Sequence, residues 1–153
     1  MPRIPLHIRK FLTSQNMLFL PAIFHHNTIV GRVEFLLDTG SPFTVLSPRE
    51  GLRFRYPLKQ LSKLPSAACQ LAGFKFKRHS LGVGVTLTVT DNKMNPVLIK
   101  YDSVGLLSPT KFDDINLEEC EKIPSIIGVD FLEAKDATLV FNPKRKIAYL
   151  DLP

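Results

Sequence analysis

The 153-residue chain lacks the features that mark several classes of protein. It has two cysteines, Cys69 and Cys120, which are too few for a disulfide framework and are not spaced as metal ligands. It has no tract of biased composition, and with 44% apolar and 22% charged residues it is predicted to fold as a globular protein. A chain of this length fits one ordinary domain with a full core.

Long hydrophobic runs are also missing. No run approaches the roughly 20 apolar residues that a membrane-spanning helix needs, so no membrane association is expected. The segment Met17–Phe24 is apolar and follows basic residues, but it contains Pro21 and no small-residue cleavage site follows it. It is therefore not predicted to be a signal peptide, and the low cysteine content favours a reducing, cytoplasmic location.

The charge balance is basic, with a net charge of +6 and a pI near 9.5. Such a balance can favour acidic substrates or weak association with nucleic acid. The basic clusters Lys75–Arg78 and Lys144–Lys146 lie in predicted hairpins, where solvated strand faces and turns explain them. No array of stacking aromatic residues accompanies them, so a nucleic-acid partner, whose binding would fall steeply with salt, is not expected.

One polar position stands out inside the apolar segment Phe35–Leu46. Asp38 follows an apolar strand and precedes Thr39 and Gly40, which suit a tight turn. An unpaired carboxylate is costly among apolar neighbours, so Asp38 is predicted to be largely buried and functional. An ordinary Asx-turn would explain the triplet alone, but the apolar run before it, Ser41 after it and the following strand favour a specific site.

A second motif lies far downstream, in Ile123–Leu132. It consists of Ile126, Ile127 and Gly128, followed by an acidic residue at Asp130. The two motifs, in this order, resemble the paired signatures of retropepsin-like aspartic proteases, the single-lobe, retroviral-type branch of the family. The resemblance spans about Met17 to Leu132, and only the two motifs are sharp.

The resemblance implies an all-β fold, a single-lobe acid-protease closed β-barrel with one short helix after the Ile-Ile-Gly motif. We expect an N-terminal arm over residues 1–15, loose or docked on a partner, and a protease domain over residues 16–153. The tail from Ala137 to Leu152 reads as a hairpin around Asn142–Lys146, which departs from the single final strand of retroviral members.

The resemblance also assigns roles to residues. Asp38 would be catalytic, with Thr39, Gly40 and Ser41 supporting its loop; Thr39 would interlock with its mate in a second chain, and the hydroxyl of Ser41 would donate to Asp38. Gly128 would let two backbone segments cross closely. The expected substrate-binding positions are Leu37, Ile127, Gly128, Val129 and the tip of a flap hairpin at Gly73 and Phe74, where an ordinary hairpin turn is an equal alternative. No metal or cofactor is expected.

Aspartic protease chemistry needs two carboxylates, and this chain has one Asp-Thr-Gly. A second Asp38 would therefore come from a second chain across a twofold axis. The implied activity is endopeptidase cleavage, by a homodimer, between bulky apolar residues of a peptide or protein substrate. The strands Met17–Phe24 and Ile147–Leu152 have edges that could pair between the two subunits. The alternative is a catalytically weak or silent homodimer that binds extended peptides.

Overall fold

The structure is a computed structural model that describes residues 1–11, 15–71, 74–109 and 122–153. Within these ranges the chain is mostly β, as predicted, with thirteen strands and three short helices. The strands are β1 Arg3–Pro5, β2 His7–Lys10, β3 Asn16–His26, β4 Ile29–Leu37, β5 Val45–Leu46, β6 Ser66–Leu71, β7 Phe74–Ser80, β8 Val85–Thr90, β9 Pro96–Lys100, β10 Gly105–Pro109, β11 Ser125–Ile127, β12 Thr138–Asn142 and β13 Ile147–Asp151. The helices are α1 Pro48–Arg53, α2 Leu58–Leu61 and α3 Val129–Ala134.

The long hairpin of β3 and β4 is the centre of the fold. Val33, Phe35 and Leu37 are buried in the main core, Arg32 and Glu34 are exposed, and Leu36 is buried on the other face in a second apolar cluster. This period of two is the pattern of a strand with one face against a core. The polar residues His25–Asn27 predict a turn. In the structure β3 continues through His26, and the turn begins at Asn27, which has a positive φ of 54°.

The strands form two sheets over a shared apolar core. The ten-stranded sheet has the order β6-β7-β10-β5-β11-β4-β3-β8-β9, with β2 also paired to β3, and the smaller sheet has the order β1-β13-β12. The larger sheet is open, with β6 and β9 at its ends, so the predicted closed barrel is not confirmed. Ile4 and Leu150 of the small sheet belong to the same buried cluster as Phe35 of the large one.

The N-terminal arm is built into this core. β1 pairs with β13 and β2 pairs with β3, in contrast to the loose or partner-bound arm that the sequence suggested. The reason is a short apolar alternation, since Ile4 and Leu6 are both buried. Arg3 additionally forms an ion pair with Asp151 at 2.9 Å, across the β1–β13 pairing.

Two helices were not predicted, although α1 has clear sequence signals. Ser47 caps its N-terminus, with its hydroxyl accepting from the backbone N–H of Glu50 at 3.4 Å, and Pro48 occupies the first helical position. The segment Ser47–Gly51 was predicted only to end the short strand Phe43–Leu46, and not to begin a helix. The third helix, α3, lies directly after the Ile-Ile-Gly motif as predicted.

The two strand edges proposed for subunit pairing are already occupied within one chain. β3 has β4 on one side and both β2 and β8 on the other. β13 lies between β1 and β12. The pairings with β1, β2, β8 and β12 thus occupy the edges that a second chain would need. The tip residue Gly73 and the helical turn predicted around Leu117–Glu121 lie outside the described residues.

Candidate active site

Asp38 lies at the point where β4 ends and the chain turns. Its carboxylate Oδ1 accepts from the backbone N–H of Gly40 at 2.9 Å, and its carbonyl accepts from the backbone N–H of Ser41 at 3.1 Å. This is an Asx-turn closed by the aspartate itself. Asp38 is half-buried rather than largely buried, because Thr39 and Gly40 are exposed and leave one side of the loop open.

The two sequence motifs meet in space. β11 runs parallel to β4, with Ile127 opposite Leu37. The backbone N–H of Asp38 donates to the carbonyl of Ile127 at 3.0 Å, and the backbone N–H of Val129 donates to the carbonyl of Ser41 at 2.9 Å. The Asp38 loop is thus bonded to the second motif on both sides of Gly128.

Gly128 makes this crossing possible through its size. A Cβ at this position would lie 2.5 Å from the carbonyl oxygen of Phe43 and 2.7 Å from that of Ser41, which is far inside van der Waals contact. Its φ of −97° is ordinary for any residue, so space, and not backbone conformation, requires the glycine. The close backbone crossing that the sequence predicts at Gly128 is therefore present.

A buried side-chain network joins the same elements. The hydroxyl of Thr44 donates to Asp130 Oδ1 at 2.8 Å and accepts from the backbone N–H of Gly128 at 3.1 Å. The Asp130 carboxylate also accepts from the backbone N–H groups of Thr44 at 3.1 Å and Phe131 at 2.8 Å. Sequence reasoning missed Thr44, although a hydroxyl residue inside an apolar strand signals a buried hydrogen bond.

The position of the Ser41 side chain differs from the prediction. Its hydroxyl donates to the carbonyl oxygen of Phe43 at 3.0 Å. The same hydroxyl oxygen, Ser41 Oγ, accepts from the backbone N–H of Phe43 at 3.4 Å. A hydroxyl has one proton to donate, and the Ser41 hydroxyl donates it to Phe43. The same proton is therefore not donated to Asp38, contrary to what the resemblance implied. Ser41 therefore shapes the loop and does not hydrogen-bond the carboxylate in this chain.

The predicted substrate-binding positions separate into two groups. Val129 is half-buried beside the Asp38 loop, whereas Leu37 and Ile127 are packed into the main core. Phe74 begins β7, and the β6–β7 hairpin reaches the loop region through β10, which pairs with both β7 and β5. The geometry thus brings Asp38, Ser41, Gly128 and Val129 together and leaves the flap and subsite roles as predictions.

Two further classes of site are absent from the part of the chain that the structure describes. No group of three or more His, Cys, Asp or Glu residues there is arranged to hold a metal ion. Among the same residues, no helix has the length and apolar character to cross a membrane.

No family model matches the chain, and no curated protein matches it. Among solved structures, a retropepsin-like aspartic protease from Rickettsia conorii is similar at 14% sequence identity and a TM-score of 0.46, over 97% of this chain and 87% of that one. A TM-score at this level does not establish a common fold.

Proposed function

We propose that the protein is an aspartic endopeptidase of the retropepsin-like type that is active as a homodimer. The supporting observation is the crossing at Gly128, where backbone hydrogen bonds from Asp38 and Val129 join the Asp-Thr-Gly loop to the Ile-Ile-Gly segment. The substrate would be an extended peptide cleaved between bulky apolar residues. The mechanism uses no metal and no organic cofactor.

The chemistry follows from two carboxylates that share one proton. The ionised carboxylate takes a proton from a water molecule, and the resulting oxygen attacks the peptide carbonyl. The protonated carboxylic acid donates its proton to the carbonyl oxygen, which stabilises the tetrahedral intermediate. Two like charges a few ångströms apart cannot both ionise, so a pair of Asp38 residues would hold this proton between them, as aspartic protease dyads do.

The single chain provides half of this site. Asp38 is half-buried and Thr39 is exposed, which leaves the loop accessible to the same loop of a second chain. Because the edges of β3 and β13 are occupied, the dimer would use another surface. In the small sheet, the outer edge of β12 has no strand paired to it among the described residues. Activity should therefore fall when the protein is diluted through its dimer dissociation constant.

A silent homodimer that binds peptides is the alternative. It is favoured by one observation, namely that the Ser41 hydroxyl donates to Phe43 and provides no hydrogen bond to Asp38. This alternative predicts saturable peptide binding without turnover. Cytoplasmic location and the domain limits at residues 1–15 and 16–153 remain predictions.

The substitution Asp38→Asn tests the proposal. The amide has nearly the same shape but cannot act as a base, so hydrolysis of a denatured protein substrate should fall at least about 100-fold. A statine-type inhibitor should block the wild type. Asp136→Asn is the matched control, since Asp136 is exposed, and Asn is among the residues that best tolerate its positive φ of 48°.

Mixing experiments separate the dimer from a one-chain mechanism. Excess Asp38→Asn protein should suppress wild-type activity by forming mixed dimers with one functional carboxylate. A species with the mass of one chain and full activity would overturn the mechanism. Wild-type protein that binds the inhibitor but cleaves nothing would establish the silent alternative.

A further inference from the structure

Arg78, on β7, stacks against the candidate active-site loop. Its guanidinium carbon lies 3.5 Å from the ring centroid of Phe43, which follows Asp38 by five residues and is 38% exposed. Planar guanidinium groups stack favourably on aromatic rings. A charge on the β6–β7 hairpin is thus held directly on the loop that carries Asp38.

The chain makes room for this arrangement. A Cβ at residue 105 would lie 2.6 Å from Cγ of Arg78, so Gly105 admits the aliphatic stem of the arginine. The Nε–H of Arg78 is buried without any hydrogen-bond partner. No carboxylate among the described residues forms an ion pair with Arg78. Arg78 is half-buried, and its guanidinium therefore keeps N–H groups that can donate to an additional acceptor.

The surroundings of Arg78 are basic. The described part of the β6–β7 hairpin carries Lys75, Lys77 and Arg78 and no carboxylate. A cavity of about 350 Å³ beside Arg78 is also bordered by Ser66, Ser80 and Asp102. Asp102 is exposed, and its carboxylate accepts from the backbone N–H of Gly84 at 3.2 Å.

We infer that Arg78, stacked on Phe43, binds an acidic side chain of the peptide substrate. The inference depends on the proposed peptide-cleaving or peptide-binding function of the Asp38 cleft. Stacking occupies one face of the guanidinium and leaves its edge for a carboxylate, which accepts two parallel N–H bonds in a bidentate pair. Like-charge repulsion from Asp102 disfavours a substrate carboxylate in the cavity that Asp102 and Arg78 both border.

The length of the loop limits where the acidic residue lies. Five residues of extended chain reach at most about 18 Å, and a substrate strand advances about 3.3 Å per residue. The acidic residue therefore lies within about five residues of the scissile bond. This restricts the search to a small set of peptide positions.

The test uses pairs of statine-type peptides that differ only by Glu or Gln at one of these positions. Binding is measured by fluorescence anisotropy, with turnover of matching substrates measured beside it. At one position or more, the Glu peptide should bind the wild type about tenfold more tightly than the Gln peptide. Arg78→Gln should remove this difference, and Arg78→Lys should remove most of it because the planar fork is lost.

Lys77→Gln is the matched control, because it removes one positive charge from the same strand without touching the stack on Phe43. The Glu preference should survive in this variant, and thermal unfolding should show that the Arg78 variants remain folded. Equal affinity of wild type for Glu and Gln peptides, or a preference unchanged in folded Arg78→Gln, would overturn the inference while leaving the protease proposal intact. Failure of the wild type to bind or cleave any peptide would overturn both.

Discussion

The two ends of the β3–β4 hairpin are joined to the rest of the molecule in different ways. At the Asp38 end, the connections are backbone hydrogen bonds and the hydrogen-bond network of Thr44 and Asp130 around Gly128. At the far end, side chains make the connections: the rings of Phe24 and Phe54 stack with centroids 5.6 Å apart, and His26 Nδ1 lies 3.0 Å from the Tyr56 hydroxyl. Uncharged backbone groups form several of the connections at the Asp38 end, whereas a histidine, which changes its charge near neutral pH, takes part at the far end.

The far end of the hairpin also borders a cavity. His26, Phe54 and Tyr56 border a cavity of about 760 Å³ between the β3–β4 turn and the first two helices. Burial lowers the pKa of His26, with a smaller lowering from His25, and burial raises the pKa of Tyr56. The contrast indicates that the far end, through His26, is the part of the hairpin whose connections depend on the protonation of a histidine.

The largest effect should come from Gly128→Ala. The new methyl group would collide with the backbone of Ser41 and Phe43, and backbone cannot move aside as a side-chain tip can. We expect a loss of about 3 kcal/mol or more in the free energy of unfolding, measured by urea denaturation. In the control, Gly82→Ala, the methyl group meets open space and only the positive φ of 71° opposes it, at about 1 kcal/mol. Equal losses would show that the crossing is not tightly packed.

A smaller loss is expected for Thr44→Val. The substitution keeps the shape but removes the hydroxyl that serves both Asp130 and the backbone N–H of Gly128. Leaving these buried groups short of a partner should cost about 2 kcal/mol of unfolding free energy. Thr44→Ser retains the hydroxyl and should lose about 1 kcal/mol. If Ser is as destabilising as Val, methyl packing and not the hydrogen bonds explains the stability of this joint.

The smallest expected effect is the contribution of His26 to the pH dependence of the unfolding free energy. Its folded-state pKa is lowered, so below about pH 6.5 the unfolded chain takes up a proton that the folded chain does not, and stability falls as pH falls. One such histidine contributes a slope of at most about 1.4 kcal/mol per pH unit. The slope between pH 7.5 and 5 should be shallower in His26→Gln than in wild type.

The control for this measurement is His25→Gln, because His25 is the exposed neighbour on the opposite face of β3. Its variant should lose only a small part of the slope, because His25 makes a smaller contribution than burial to the lowered pKa of His26. Some acid sensitivity should persist in both variants, since burial also lowers the pKa of His79. An unchanged slope in His26→Gln would remove the far end as a source of pH dependence.

Local patterns were sufficient for much of the β structure. The strands of the β3–β4 hairpin and the C-terminal hairpin were predicted from their residue patterns, and the helix after Gly128 was implied by the family resemblance. Local signals for α1 were present at Ser47 and Pro48 but were interpreted otherwise. Strand ends such as His26 were misplaced because turn residues and strand ends have similar composition.

By itself, the sequence determined the turn at Asp38 and the two motifs, and their resemblance to the paired signatures of retropepsin-like aspartic proteases implied that the motifs meet. The tertiary structure alone decided what the side chains do there. It assigned the Ser41 hydroxyl to Phe43, Thr44 to Asp130, and Arg78 to the face of Phe43. It also paired β1 with β13. These contacts join residues whose spacing carries no period, so their partners depend on which chain segments pack together.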